Sequence, residues 1–251
     1  MGFLNIKPYG FPQHYTVDFE KGIVKLPKIG EIKSIFHRRF EGTLRTATVS
    51  RSCIGKYYIS ILVEDGKELP AKQKYSESTT VGVDVGIKDF AVLSTGEKIE
   101  NPKYLRNSLK RLKCLQKRVS RKQKRSNRRN KAILLLSKIH EKISNQRNNF
   151  QHKLSSKLIR ENQAIALETL NVKGMQKNHC LAQVIGDSAW SSFVTKLEYK
   201  AQWFGKTILR IGRFEPSSKL CNVCGYHNSE LTLRNGKNIT SNTQFGNGSL
   251  T

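Results

Sequence analysis

The chain has 251 residues, with 45 Lys+Arg against 19 Asp+Glu and a formal net charge of +26. Hydrophobic residues make up 37%, enough for a core, but no apolar run is long enough to cross a bilayer as a helix. Five irregularly spaced cysteines argue against a secreted disulfide framework and for a reducing, intracellular compartment.

Residues 14–64 read as short antiparallel strands. HYTVDFE, GIVKLP, EGTLRTATVSRS and KYYISILVE alternate apolar and polar positions, with Gly-containing breaks between them. The pattern predicts a small all-β module. Its cations, Lys21, Lys25, Lys28, Lys33, Arg38, Arg39, Arg45 and Arg51, fit either a solvated face or an oligonucleotide-binding face. The polar stretch 65–80, with Pro and Gly, marks a domain boundary. VGVDVGIKDFAVLST (81–95) predicts a hairpin opening a second domain, and 96–102 a polar loop.

Residues 103–160 predict two antiparallel helices. Leu105, Leu109, Leu112, Leu115 and Val119 step at helical spacing, a break falls near Ser126 and Asn127, and Leu136, Ile139, Ile143, Phe150, Leu154 and Leu158 resume the pattern. Within 103–131 lie fourteen Lys or Arg and no acid, among them Lys110, Arg111, Lys117, Arg118, Arg121, Lys122, Lys124, Arg125, Arg128 and Arg129. Unbroken like charge destabilises an isolated helix, so this run predicts a polyanionic partner, with nucleic acid the default. QAIALE (163–168) predicts a buried strand ending in a carboxylate. Residues 187–204 predict a helix with Asp187 as N-cap and Trp190, Phe193, Leu197 and Phe204 on one face. TILRIG (207–212) predicts another strand, and the Asn/Gly/Ser/Thr-rich end a disordered tail.

Two acids stand out. Asp84 sits inside the apolar run VGVDVG, where a carboxylate is costly unless it is paired, metal-bound or at an open edge. Glu168 ends the apolar run AIALE. The plain readings are a turn cap near Gly86 and an exposed strand end. The chemical reading is a pair of oxygen ligands for Mg²⁺ or Mn²⁺ in phosphodiester cleavage. Cys221 and Cys224 form a C-x-x-C, half of a tetrahedral zinc site, with no second pair after it.

Taken together, VGVDVGIKDFAVLSTGE, the basic helical hairpin, AIALETLNVKGM, DSAWSSFVTKLEYKAQWFGKTI and PSSKLCNVCGY resemble the TnpB (OrfB) family of transposon-encoded proteins, related to the type V CRISPR effectors. The resemblance runs from about Thr16 to Leu233. It implies a mixed α/β fold with an RNase-H-like (RuvC-type) nuclease domain, preceded by a small antiparallel β-barrel (wedge). The implied organisation is a partial wedge module over 1–70 and a linker over 71–80. A RuvC-like domain follows over 81–215, with the hairpin 103–160 inserted. A partial zinc-ribbon knuckle covers 216–234 and a disordered tail 235–251. The resemblance implies RNA-guided, Mg²⁺-dependent cleavage of DNA, with a guide RNA from the parent transposon, in a prokaryotic, nucleoid-associated cytoplasmic setting. Asp84 is similar to the family's first catalytic acid, Glu168 to the second, and Cys221 and Cys224 to the first zinc pair. The family's third catalytic Asp and second cysteine pair have no counterpart here, and the chain reads as truncated at both ends. The alternative is a catalytically inactive RNA- or DNA-binding remnant or regulator.

Overall fold

The computed structural model describes residues 9–11 and 14–212. Cys221, Cys224, the knuckle over 216–234 and the tail over 235–251 lie outside the described residues. The chain divides into two compact units, 1–69 with 107–146, and 70–106 with 147–251. The helical hairpin is therefore shared between the units.

In the first unit the strands are β1 (Tyr9–Phe11), β2 (Thr16–Asp18), β3 (Ile23–Leu26), β4 (Gly30–Lys33), β5 (Thr43–Arg51) and β6 (Tyr57–Glu64). They form two three-stranded antiparallel sheets, β1-β5-β6 and β2-β3-β4. Period-2 alternation turns Val24, Leu26 and Ala47 inward, where they join Phe11 and Tyr15 with Val49, Ile59 and Ile61 packed around them. Both sheets thus share one core. Gly42 precedes β5 at φ +131°, and a Cβ there would collide with the Glu64 carbonyl oxygen. Only glycine fits that crossing. Strands β1 and β4 had no strong pattern in the sequence. They are short, and β4 carries only Ile32 between polar residues.

The hairpin consists of α1 (Tyr104–Ser120) and α2 (Asn127–Glu161). Leu112, Ala132, Ile139 and Ile143 are its buried apolar positions within 107–146, joined by Ser137. The predicted break spans 121–126. Ser126 caps α2 by accepting from the Arg129 amide at 3.2 Å, and the Arg129 guanidinium donates to the Val119 and Lys122 carbonyls, both at 3.2 Å. A cation on the last carbonyls of a helix is favourable for the dipole and for its unpaired acceptors.

The second unit is built on a five-stranded sheet of β7 (Thr80–Val85), β8 (Asp89–Leu93), β9 (Lys98–Glu100), β10 (Ala164–Glu168) and β11 (Thr207–Ile211). The order is β11-β10-β7-β8-β9, with β7, β8 and β9 antiparallel and β7, β10 and β11 parallel. The end of α2 (147–161), the short α3 (Val172–Met175), α4 (His179–Ser188) and α5 (Trp190–Trp203) complete the unit. Val81, Val83, Ile165 and Leu167 from the sheet pack with Leu158, Ile185, Trp190, Phe193 and Leu197 in one core. The Phe90 ring meets Phe150 and Phe193 edge-on at 5.0 and 5.2 Å. At the turn into β11, Gly205 has φ +61°, and a Cβ there would meet the Ala71 carbonyl oxygen at 2.6 Å.

Three sequence expectations change. Residues 98–100 of the expected loop are β9, recruited by pairing with β8. Asp187 does not cap the helix after it. It lies near the end of α4, and the residue preceding α5 is Ala189, at φ +51°. The Asp187 carboxylate instead accepts from the backbone amides of Leu105 and Arg106 at 3.0 and 3.2 Å, capping α1 from 82 and 81 residues away. The Arg147 guanidinium completes the cluster at 3.3 Å. Phe204 is 55% exposed rather than part of the buried face, because α5 ends at Trp203 and the chain turns at Gly205.

Replacing Asp187 with alanine removes a helix cap and leaves a mostly buried guanidinium without its counter-charge. A loss of about 2–4 kcal/mol in folding stability is expected by urea denaturation, larger than a surface cap alone would give.

Candidate functional site

The strand β7 alternates by necessity. Val81 and Val83 face the core, so Gly82 and Asp84 face the other way. Strand β10 does the same with Ile165 and Leu167 buried and Glu168 exposed. The two strands pair in parallel as Ala164↔Thr80, Ile165↔Val81, Ala166↔Gly82 and Leu167↔Val83. The same offset carried one residue further sets Glu168 beside Asp84. Lateral neighbours in a parallel sheet share a face, about 4.8 Å apart in backbone spacing. The register therefore brings the two acids together on one face at neighbouring strand ends. Val92 lies across from Asp84 on β8, and Ile211 across from Glu168 on β11. The pair is thus flanked by apolar side chains.

Those surroundings act on the acid. Desolvation raises the Asp84 pKa above the ordinary carboxylate range, although its side chain reaches solvent. A carboxylate held in this way is eager for a cation, and two such oxygen donors side by side suit a hard divalent ion. Among the described residues no group of three or more His, Cys, Asp or Glu is assembled to hold a metal.

The basic residues form a separate surface. Lys110, Arg111, Lys117, Arg118, Arg121, Lys124, Arg125 and Arg128 are exposed on α1, the turn and the start of α2. Lys122 and Arg129 are half-buried, and Arg129 is engaged by the turn it stabilises. Sequence reasoning could count these charges but could not tell a structural cation from a free one. It also missed Arg147, whose partner Asp187 is 40 residues away.

Residues 60–179 match the OrfB_IS605 family, described as probable transposase, and residues 190–244 match the Cas12f1-like TNB domain. The chain therefore carries an OrfB_IS605 region and a Cas12f1-like TNB region. Two curated proteins named "Putative RNA-guided DNA endonuclease" are similar to it. One, from Streptomyces pristinaespiralis, is 44% identical over 75% of this chain and 46% of its own length. The other, InsQ of Escherichia coli K12, is 30% identical over 91% of this chain and 60% of its own. The chain thus spans about half the length of the curated relatives it matches. Its fold resembles the Cas12f1 chain of a Cas12f1–sgRNA–target DNA complex, with a TM-score of 0.51 at 16% identity, over 76% of this chain and 40% of that one. The TNB match covers Cys221 and Cys224. Among the described residues no helix is long and apolar enough to cross a membrane.

The raised Asp84 pKa has a sign that can be checked. The fold prefers the protonated acid, so ionisation costs stability. That cost is absent below the ordinary Asp value near 3.9 and complete above the raised value. With EDTA present, Asp84→Asn is expected to raise the melting temperature at pH 7.5, and the gain is expected to shrink at pH 4.5. A gain independent of pH would assign it to shape rather than charge.

Proposed function

We propose that this chain carries the nuclease portion of an RNA-guided DNA endonuclease of a mobile element. The observation that carries the reading is the parallel register of β7 and β10, which aligns Asp84 with Glu168 on one face. The sheet is read as RNase-H-like (RuvC-type). Its order β11-β10-β7-β8-β9, with one hairpin pair followed by two parallel crossovers, supports that reading, as does the likeness to Cas12f1. The first unit is read as the wedge module, and its two sheets around one core fit a small barrel. The names of the curated relatives support DNA as substrate and RNA as guide.

In this reading Asp84 and Glu168 hold Mg²⁺ or Mn²⁺, and when bound the ion activates water and stabilises the leaving oxygen. The two carboxylates orient their lone pairs toward the same face, and the apolar neighbours Val92 and Ile211 restrict water beside them. Exposed cations of the hairpin neutralise phosphates of guide RNA and DNA, which fixes the strands without reading sequence. Cys221 and Cys224 supply two thiolates toward a zinc site. The protein works where its DNA is, on the nucleoid.

Two measurements test the reading. With cognate guide RNA, Mg²⁺ and matched DNA, cleavage is expected to fall by about 100-fold or more in Asp84→Ala and in Glu168→Ala, with binding retained. Binding without cleavage by the parent chain would leave only the nucleic-acid-binding part standing. Separately, log K falls with log salt by about 0.9 per duplex phosphate and 0.7 per single-strand phosphate neutralised. Changing Arg121, Lys124, Arg125 and Arg128 together to Gln is expected to flatten that slope by up to about 3.6 units on duplex and about 2.8 on a single strand. An unchanged slope and affinity would move the binding surface off the hairpin.

A further inference from the structure

Beyond the carboxylate pair and the hairpin, the second unit carries a patch of aromatic residues. Trp203 is 59% exposed and Phe204 55%, at the end of α5. Tyr199, one turn back, packs edge-on against Trp203 with ring centroids 4.7 Å apart. Its hydroxyl shares a hydrogen bond with His152 Nδ1 on α2 at 3.4 Å. Large exposed aromatics beside buried cations suit a partner that offers both π-faces and negative charge.

The charge lies directly beneath. Lys196 and Lys200 of α5 are buried against α2. Lys196 Nζ donates to Asn148 Oδ1 at 3.3 Å, Gln151 Oε1 at 3.1 Å and Ser192 Oγ at 2.7 Å. Lys200 Nζ donates to the His152 carbonyl at 2.9 Å, Ser155 Oγ at 2.7 Å and Ser156 Oγ at 2.8 Å. All six partners are neutral. Two ammonium groups one turn apart therefore keep their full positive field, satisfied in hydrogen bonds but not in charge. Burial, then the Lys200 and Lys196 charges, lowers the pKa of His152, so its ring is a neutral member of the patch at pH 7. Successive turns of α2 and α5 meet in the same order, Asn148 and Gln151 at Lys196, then His152, Ser155 and Ser156 at Lys200. Lys206 follows three residues later, in the turn after α5.

We propose that Tyr199, Trp203 and Phe204 form a stacking platform for single-stranded DNA, whose phosphates are drawn by Lys196 and Lys200 beneath it. Duplex DNA keeps its π-faces stacked inside and cannot use such a platform. The class of partner rests on the proposed function; the site does not, since it shares no residue with Asp84, Glu168 or the exposed cations between Lys110 and Arg128.

The chain has two tryptophans, and Trp190 is 2% exposed, so quencher-accessible emission reports Trp203. Titrating the full chain with a short oligothymidylate is expected to quench that emission and to shield it from acrylamide. An equal-length duplex is expected to do neither. Trp203→Ala is expected to weaken oligothymidylate binding about 5- to 150-fold at fixed salt, the range for one stacked base. The salt slope should stay unchanged, and Trp203→Phe should recover part of the affinity. Near-ultraviolet dichroism of Trp190 checks that both variants keep the core. Oligothymidylate binding that leaves Trp203 emission unmoved overturns the platform alone, whereas no binding of any DNA overturns the proposed function with it. Equal quenching by duplex overturns it too. So does acrylamide protection already complete in the free chain, or a concentration-dependent dimer abolished by Trp203→Ala, since either assigns the patch to a protein contact.

Discussion

Parallel pairing between β7 and β10 is the constraint on which the second unit depends. Its register sets Val83 beside Leu167 inside the core and, one residue later, aligns Asp84 with Glu168 outside it. A slip of one residue would reverse the faces of one whole strand, burying a carboxylate and exposing Leu167. The hydrophobic pattern therefore fixes the acids as firmly as it fixes the core. Parallel strands also need a long crossover, and the chain supplies it as the helical hairpin between β9 and β10.

The helices that cover the sheet are joined by polar contacts as well as by packing. Gln151, buried on α2, donates to the Ser188 and Ala189 carbonyls at 3.1 Å, where α4 gives way to α5. Asp187, in that same junction, gathers the amides of α1 and the Arg147 guanidinium. The break between α4 and α5 is thus held from α2 and α1 together. A left-handed Ala189 is tolerated there because so many neighbours determine its position.

Charge is distributed with a similar economy. Most of the hairpin's cations are exposed and compete only with solvent, whereas Arg129, Arg147, Lys196 and Lys200 have been drawn into the structure. Arg129 ends a helix and Arg147 answers an aspartate. The two lysines, like Arg129, have neutral partners, but they are buried. Desolvation lowers both of their pKa values, which is the physical cost of burying charge without a counter-ion.

Much of this protein is legible without coordinates. Period-2 runs gave β2, β3, β5 and β6, short apolar runs gave β7, β8, β10 and β11, and helical spacing gave the hairpin and α5, because each pattern reflects which faces of an element are buried. The family follows from motifs in order, and the oddity of Asp84 follows from its apolar setting. Tertiary structure alone decided the rest. Whether Asp84 meets Glu168 is a matter of register across 84 positions, and Asp187 capped a helix that precedes it by some eighty residues rather than the one it precedes in sequence. Strand β9 exists because β8 offers it a partner. Arg129 reads like its neighbours in the sequence and differs only in what its guanidinium touches. Local patterns record which side of an element faces the core; they do not record what stands opposite, and it is the opposite side chain that turns a charged residue into a cap, a ligand or a free surface.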